Sequence, residues 1–125
     1  MTMDIERGWI YLADLEPQHG TESGKTRPVL VIQTDLLNRQ GHPSTLVIPL
    51  TTNVVANAKP LRVGVPKPHK GFSQVSDLMI DQIRAIDNLR LYRRDSKKLI
   101  KKIVQLESGL MAQVEDCIKK VFDLN

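Results

Sequence analysis

Five short apolar runs, each bounded by turn-forming residues, occupy the chain up to residue 80: GWIYLADL (8–15), PVLVIQT (28–34), STLVIPLT (44–51), PLRVGV (60–65) and SDLMI (76–80). Runs this brief and this rich in Val, Ile and Thr suit strands rather than buried helices. The turn residues that separate them call for short connections, which join antiparallel neighbours. The expected fold is therefore mainly β (α+β), a small antiparallel sheet or barrel. Two intervening segments, DLLNRQG (35–41) and DNLRLY (87–92), have room for a helical turn or two, and loops such as PKPHKG (66–71) separate the rest.

Near the end of the chain the period changes. Leu110, Met111, Val114, Cys117, Ile118, Val121 and Phe122 recur at helical spacing, with Gln113, Glu115, Asp116, Lys119 and Lys120 on the other side. Ser108 stands where an N-cap belongs, so an amphipathic helix is expected over 108–123. The apolar repeat also extends back through Leu106, Ile103 and Leu99, which would start the helix near Ser96. Gly109 and the doublets Leu99-Ile100 and Ile103-Val104 fit a strand over 99–105 instead. Periodicity alone leaves both open.

A length of 125 residues is enough for one domain, 1–125, with a real core. A single cysteine, Cys117, offers neither a disulfide framework nor a cysteine metal site and suits a reducing compartment. No apolar stretch approaches the roughly 20 residues that cross a bilayer, and MTMDIERGW lacks a signal-peptide core. A soluble, cytoplasmic protein with no membrane partner is expected. The net charge of +4 permits an anionic partner. Its distribution is uneven: residues 90–102 carry seven Lys/Arg against one acid, while residues 1–24 hold one basic residue and five acids.

One stretch looks like a nucleotide loop. HGTESGKTRP (19–28) contains GKT, but Gly20 and Gly24 enclose only Thr21, Glu22 and Ser23, one residue short of a phosphate-wrapping P-loop. It also leads into a strand rather than a helix. His19, His42 and His69 fall in expected loops with no ligand spacing, so no metal site is expected. Cys117 lies on the apolar helix face and reads as a core residue. Asp77 and Asp81 bracket an apolar strand, where edge solvation or a turn explains them. In an antiparallel sheet, the start of the second strand and the polar end of the third, IPLTTN (48–53), reach the same rim. Arg27 can therefore approach Thr51 and its neighbour Thr52.

In order along the chain, these segments resemble the MazF/PemK toxins, ribosome-independent mRNA interferases of bacterial type II toxin–antitoxin systems. The family's G-[DE]-[IV]-[WY] strand matches residues 8–11, with Trp9 at the usual acid. Its D-L-[DE]-P-x-x-G-[ST]-E loop matches residues 14–22, and its R-P-[AV]-[LV]-[VI] strand matches 27–31. The P-[ILVC]-T strand end matches 49–51, and D-Q-[IPV]-[RK]-[ST]-I-D matches 81–87, with Ala85 at the Ser/Thr position. The resemblance implies an SH3-like, CcdB-like barrel with a strand over 99–105 before the helix. It also implies a homodimer that cleaves single-stranded RNA without metal or cofactor. The family's catalytic pair falls on Arg27 and Thr51, its loop Glu on Glu22 and its motif Asp on Asp81. Thr21 stands where some members carry His, and Met79 where some carry Arg, so His19 or Arg84 is left to replace them.

Metal-free RNA cleavage requires a base for the 2′-hydroxyl, an acid for the 5′-oxygen and donors aimed at the phosphorane. Arginine's planar fork suits the last function, so Arg27 is assigned phosphate stabilisation first and proton shuttling second. Thr51 adds a hydroxyl. Glu22 or His19 is the expected proton acceptor, and Lys25, Lys59 or Lys70 would contact the backbone. The implied partner is a cognate antitoxin whose acidic, disordered tail fits a basic rim. Two other functions use the same barrel: a CcdB-like inhibitor of DNA gyrase, and a non-catalytic RNA-binding module.

Overall fold

A computed structural model describes residues 4–15, 25–66 and 74–125. His19, Thr21, Glu22, His69 and Lys70 lie outside the described residues. Among the described residues, seven strands, two short 3-10 turns and two helices make the architecture. The strands are β1 (Trp9–Asp14), β2 (Thr26–Val31), β3 (Ser44–Thr51), β4 (Arg62–Val65), β5 (Ser76–Met79), β6 (Arg84–Asp87) and β7 (Lys101–Gln105). Helix α1 is Asp35–Arg39 and helix α2 is Ser108–Val121.

All strand pairs are antiparallel, in the order β4-β5-β3-β2-β1-β7, with β6 added to β3. Among the described residues β4 and β7 end this path without pairing to each other, so the sheet is a half-barrel. β3 is shared. It pairs with β2 along one side, and on the other first with β6 and then with β5. Pro49 lies between the last β6 pair, Val47 with Arg84, and the first β5 pair, Leu50 with Leu78. Its missing N–H is thus harmless, since the backbone there faces a gap between two ladders.

Strand alternation divides the apolar residues between two faces. Ile10, Leu30, Ile48, Leu50, Val63 and Leu78 form one buried cluster, sealed by Leu110, Val114 and Cys117 of α2. Tyr11, Ala13, Val29, Val31, Val47 and Ile86 form the second, completed by Leu91 and Leu15. Tyr11 is fully buried, and its hydroxyl is satisfied: it donates to the Asp4 carbonyl (2.9 Å) and accepts from the Glu6 N–H (2.7 Å). Lys102 fastens β7 to β1 by lying 4.4 Å from the Trp9 ring centroid and pairing with Glu6 at 2.6 Å.

Several boundaries differ from expectation for identifiable reasons. β2 begins at Thr26 rather than Pro28, because Thr26 and Arg27 already pair with Asp14 and Ala13. It ends at Val31 because the buried Gln33 side chain takes over, donating to the Ser44 carbonyl and accepting from the Leu46 N–H. β4 starts at Arg62 rather than Pro60, since the Leu61 and Arg62 N–H groups both turn back to the Ala58 carbonyl. The 87–92 segment is a 3-10 turn, Asn88–Leu91, capped by the Asp87 carboxylate on the Leu89 N–H. Residues 84–86, expected only as part of a motif, belong to a strand. The strand that the resemblance implies over 99–105 is present as Lys101–Gln105, with Leu99 making an isolated bridge to Tyr92. Ser108 is the first helical residue, not the cap; Glu107 holds that place without a side-chain bond. Phe122 is 55% exposed at the helix end rather than on the core face.

Truncating Leu78, which packs between Leu50 and Val63 with no exposed surface, should cost about 2–5 kcal/mol in urea unfolding of the Leu78→Ala variant. Burial pushes the Cys117 thiol above its ordinary range. The native protein should accordingly resist iodoacetamide at neutral pH, and mass spectrometry should find alkylation only after unfolding.

Candidate active site

β2 and β3 meet with Val29 opposite Pro49, Leu30 opposite Ile48 and Val31 opposite Val47. Two residues further, the same register brings Arg27 across from Thr51. The Ile32 N–H donates to the Leu46 carbonyl, so alternate residues, 46, 48 and 50, direct their backbone groups toward β2. In a continued ladder the Leu50 carbonyl would receive an N–H from position 28. Proline has none. The Arg27 guanidinium takes the vacated acceptor instead, with Nη1 at 3.4 Å from the Leu50 oxygen. Local chemistry thus turns a ladder position into an anchor for a cation beside Thr51.

Thr51 ends β3, half-buried. Its Oγ1 accepts the Asn53 N–H at 3.1 Å, which fixes the hydroxyl and leaves its own O–H to donate to an acceptor. Thr52 follows on the surface. Lys25 is exposed in a left-handed conformation (φ 64°) just before β2, and its carbonyl receives the Leu15 N–H at 2.9 Å. Arg27, Thr51, Thr52 and Lys25 therefore cluster at one end of the β2–β3 pair, as the chain's polar strand ends imply. An arginine fork and a threonine hydroxyl side by side make a donor set suited to phosphate oxygens.

Asp81 is elsewhere. β5 starts beside Thr51, with Asp77 as its partner, and runs antiparallel to β3; the 3-10 turn Ile80–Gln82 then carries Asp81 along β3 toward the Val47–Arg84 pair. Asp81 is exposed there, and Arg84 is half-buried in β6, away from the rim. Met79 lies opposite Arg62 and is nearly buried.

Among the described residues, an acid beside Thr51 is Asp77, which the sequence presents as edge solvation or a turn. It is 2% exposed and holds Arg62 Nη1 at 3.2 Å and the Val55 N–H at 2.9 Å. The available signal was its position inside an apolar run, opposite Gly64 on β4. The basic run 90–102 also divides. Arg90, Arg93, Arg94 and Lys97 line a groove of about 1060 Å³ with Asp14 and Thr26, next to Arg27 in sequence. Lys102 instead belongs to the β1–β7 seam. Among the described residues no three His, Cys, Asp or Glu side chains group as metal ligands, and no helix is long and apolar enough to cross a membrane.

Comparison with known proteins agrees with the fold. The family model described as PemK-like, MazF-like toxin of type II toxin–antitoxin system matches residues 6–122. The chain is 35% identical to Endoribonuclease EndoA of Bacillus subtilis (strain 168), over 94% of this chain and 93% of the relative. It is 31% identical to Endoribonuclease MazF of Staphylococcus epidermidis, over 97% and 93%. The solved Mycobacterium tuberculosis toxin MazF-mt6 superposes with a TM-score of 0.71 at 25% identity, covering 94% of this chain and 98% of that one. A MazE–MazF structure from Deinococcus radiodurans shares the fold, with a TM-score of 0.70 at 21% identity over 97% and 98% of the two chains. A half-barrel with its apolar face sealed by a C-terminal helix, an Arg-Pro strand start set against a Pro-Leu-Thr strand end, and a match along nearly the whole length converge: the chain belongs to the PemK-like, MazF-like toxins of type II toxin–antitoxin systems.

Proposed function

We propose that this protein is the toxin of its module, an endoribonuclease that cuts single-stranded RNA at a phosphate held between Arg27 and Thr51. The observation that carries the reading is the anchoring of Arg27 on the Leu50 carbonyl, one residue before Thr51. The relatives named as endoribonucleases support the reaction class.

The reaction balances without an added group. The 2′-oxygen bonds to the adjacent phosphorus, the bond to the 5′-oxygen breaks, and the products are a 2′,3′-cyclic phosphate and a 5′-hydroxyl. One proton leaves the 2′-hydroxyl for a base, and one reaches the departing 5′-oxygen from Arg27 in its second role as proton shuttle, which the base's proton then restores. Arg27 donates N–H bonds to the non-bridging oxygens, whose charge grows in the phosphorane, and the Thr51 O–H adds a third donor. Glu22 or His19 accepts the 2′ proton. Lys25 and Thr52 steady the flanking backbone, and Asp81, exposed in the 3-10 turn Ile80–Gln82, acts as a supporting residue rather than touching the phosphate.

The same reading includes a homodimer acting on mRNA in the cytoplasm and held in check by a cognate antitoxin. MazE–MazF complexes of the Deinococcus relative support the last point. The groove of Arg90, Arg93, Arg94 and Lys97 suits an acidic, disordered tail that folds on binding.

Arg27→Ala should lower kcat on a single-stranded RNA by about 10²–10³, and Arg27→Lys should recover only part because a point charge replaces the fork. Near-normal cleavage by Arg27→Ala contradicts the assignment. Mass spectrometry of the fragments should find the cyclic phosphate. Pro28→Ala supplies a backbone N–H that competes with Arg27 for the Leu50 carbonyl; kcat should fall by about tenfold while the urea midpoint stays level or rises.

A further inference from the structure

The hydroxyl of Thr51 is held by one short turn, and that turn is exposed. Residues 52–57 all lie on the surface, with Val54 and Val55 nearly half exposed, so apolar packing does little to fix them. Their conformation depends instead on a chain of hydrogen bonds that ends on a buried charge. The Asn53 N–H donates to Thr51 Oγ1 at 3.1 Å, and the Asn53 carbonyl accepts Arg62 Nη1 at 3.0 Å. The same Nη1 lies 3.2 Å from Asp77 Oδ2, which also receives the Val55 N–H at 2.9 Å.

The fold supplies the place for this carboxylate. Asp77 on β5 is the cross-strand partner of Thr51 on β3 and of Gly64 on β4, so all three occupy one row on one face. Glycine leaves the row open on that side: a Cβ at Gly64 would stand 3.7 Å from Asp77 Oδ1. Asp77 is 2% exposed, and a buried carboxylate must be matched by donors. Arg62 and the Val55 N–H are those donors, and both belong to the segment that leads away from Thr51 or returns from it. Charge-assisted bonds of this kind hold geometry better than bonds between neutral groups.

We propose that Asp77, acting through Arg62, is a positioning residue for cleavage: it locks residues 53–55 so that the Asn53 N–H holds the Thr51 hydroxyl on the scissile phosphate. The inference rests on the reading of Thr51 as a phosphate-binding group. Asp77 itself touches no substrate. Its removal frees the turn, lets the hydroxyl rotate and weakens a contact made in the transition state, which lowers kcat while substrate binding through the remaining cations persists.

The test uses the full chain and a fluorophore–quencher RNA oligonucleotide carrying a sequence that the unmodified protein is seen to cut in a long transcript. Asp77→Asn keeps the shape of the side chain and removes the charge that holds the guanidinium. It should remain folded by circular dichroism, lower kcat about tenfold or more and leave KM within about twofold. Amide hydrogen exchange at Asn53 and Val55 should accelerate. Arg62→Lys should act in the same direction, and the double variant should be no worse than Asp77→Asn alone, as expected of two residues in one chain of bonds. A folded Asp77→Asn variant with unchanged kcat overturns the proposal; if that variant does not fold, Arg62→Lys decides by the same criterion. Thr51→Ala is measured alongside. If it cleaves normally, the reading of Thr51 fails and the positioning role with it. If it is crippled while Asp77→Asn is not, the positioning role alone fails.

Discussion

The Leu50 carbonyl decides where the cation of this site sits. A regular β2–β3 ladder would consume it with a backbone N–H from position 28, and the Arg27 guanidinium would lose this acceptor. Pro28 withholds that N–H, and the Arg27 guanidinium bonds to the oxygen in its place. The substitution of a side-chain donor for a backbone donor costs the sheet little, because Pro28 lies just beyond the first β2–β3 pair, Val29 with Pro49. It fixes the arginine across from Thr51 without burying its charge.

The rest of the molecule keeps that register. β3 is held by β2 on one side and by β6 and β5 on the other, so slipping it by one residue would exchange Val47 and Pro49 with Ile48 and Leu50 between two buried faces. Helix α2 seals one face, and Tyr11, with both of its hydroxyl bonds satisfied, anchors the other. A rim built on strands so constrained needs little packing of its own. What it has is polar: the Arg27–Leu50 bond, the Thr51–Asn53 turn, and the buried Asp77 with Arg62.

Much of this was legible in the residues. Brief, β-branched apolar runs gave away five strand positions and the terminal 3.6-residue repeat gave away α2, because both patterns follow from which face is buried; the strand before α2 followed only from the family resemblance. The proximity of Arg27 and Thr51 followed from antiparallel pairing of a strand start with a strand end. The separate strand β6 was not legible: RAID is short, and only Ile86 faces a core. Asp77 read as edge solvation or a turn because its meaning depends on two partners, Arg62 and the Val55 N–H, that are distant in sequence. The basic run 90–102 looked uniform, yet Lys102 lies over Trp9 on one strand while Arg90, Arg93 and Arg94 face a groove. Charge counts carry no direction; only the fold assigns one.

The central claim is that one RNA phosphate binds between Arg27 and Thr51. The most direct measurement is a nuclear magnetic resonance titration with an RNA oligonucleotide whose nucleotide 5′ to the cut lacks its 2′-hydroxyl, so that it binds without being cleaved. The account predicts that the Arg27 Nε–H resonance and the amides of Thr51 and Asn53 shift together and saturate at a common concentration. Binding that leaves these signals unmoved, while amides along 90–97 shift, would contradict it.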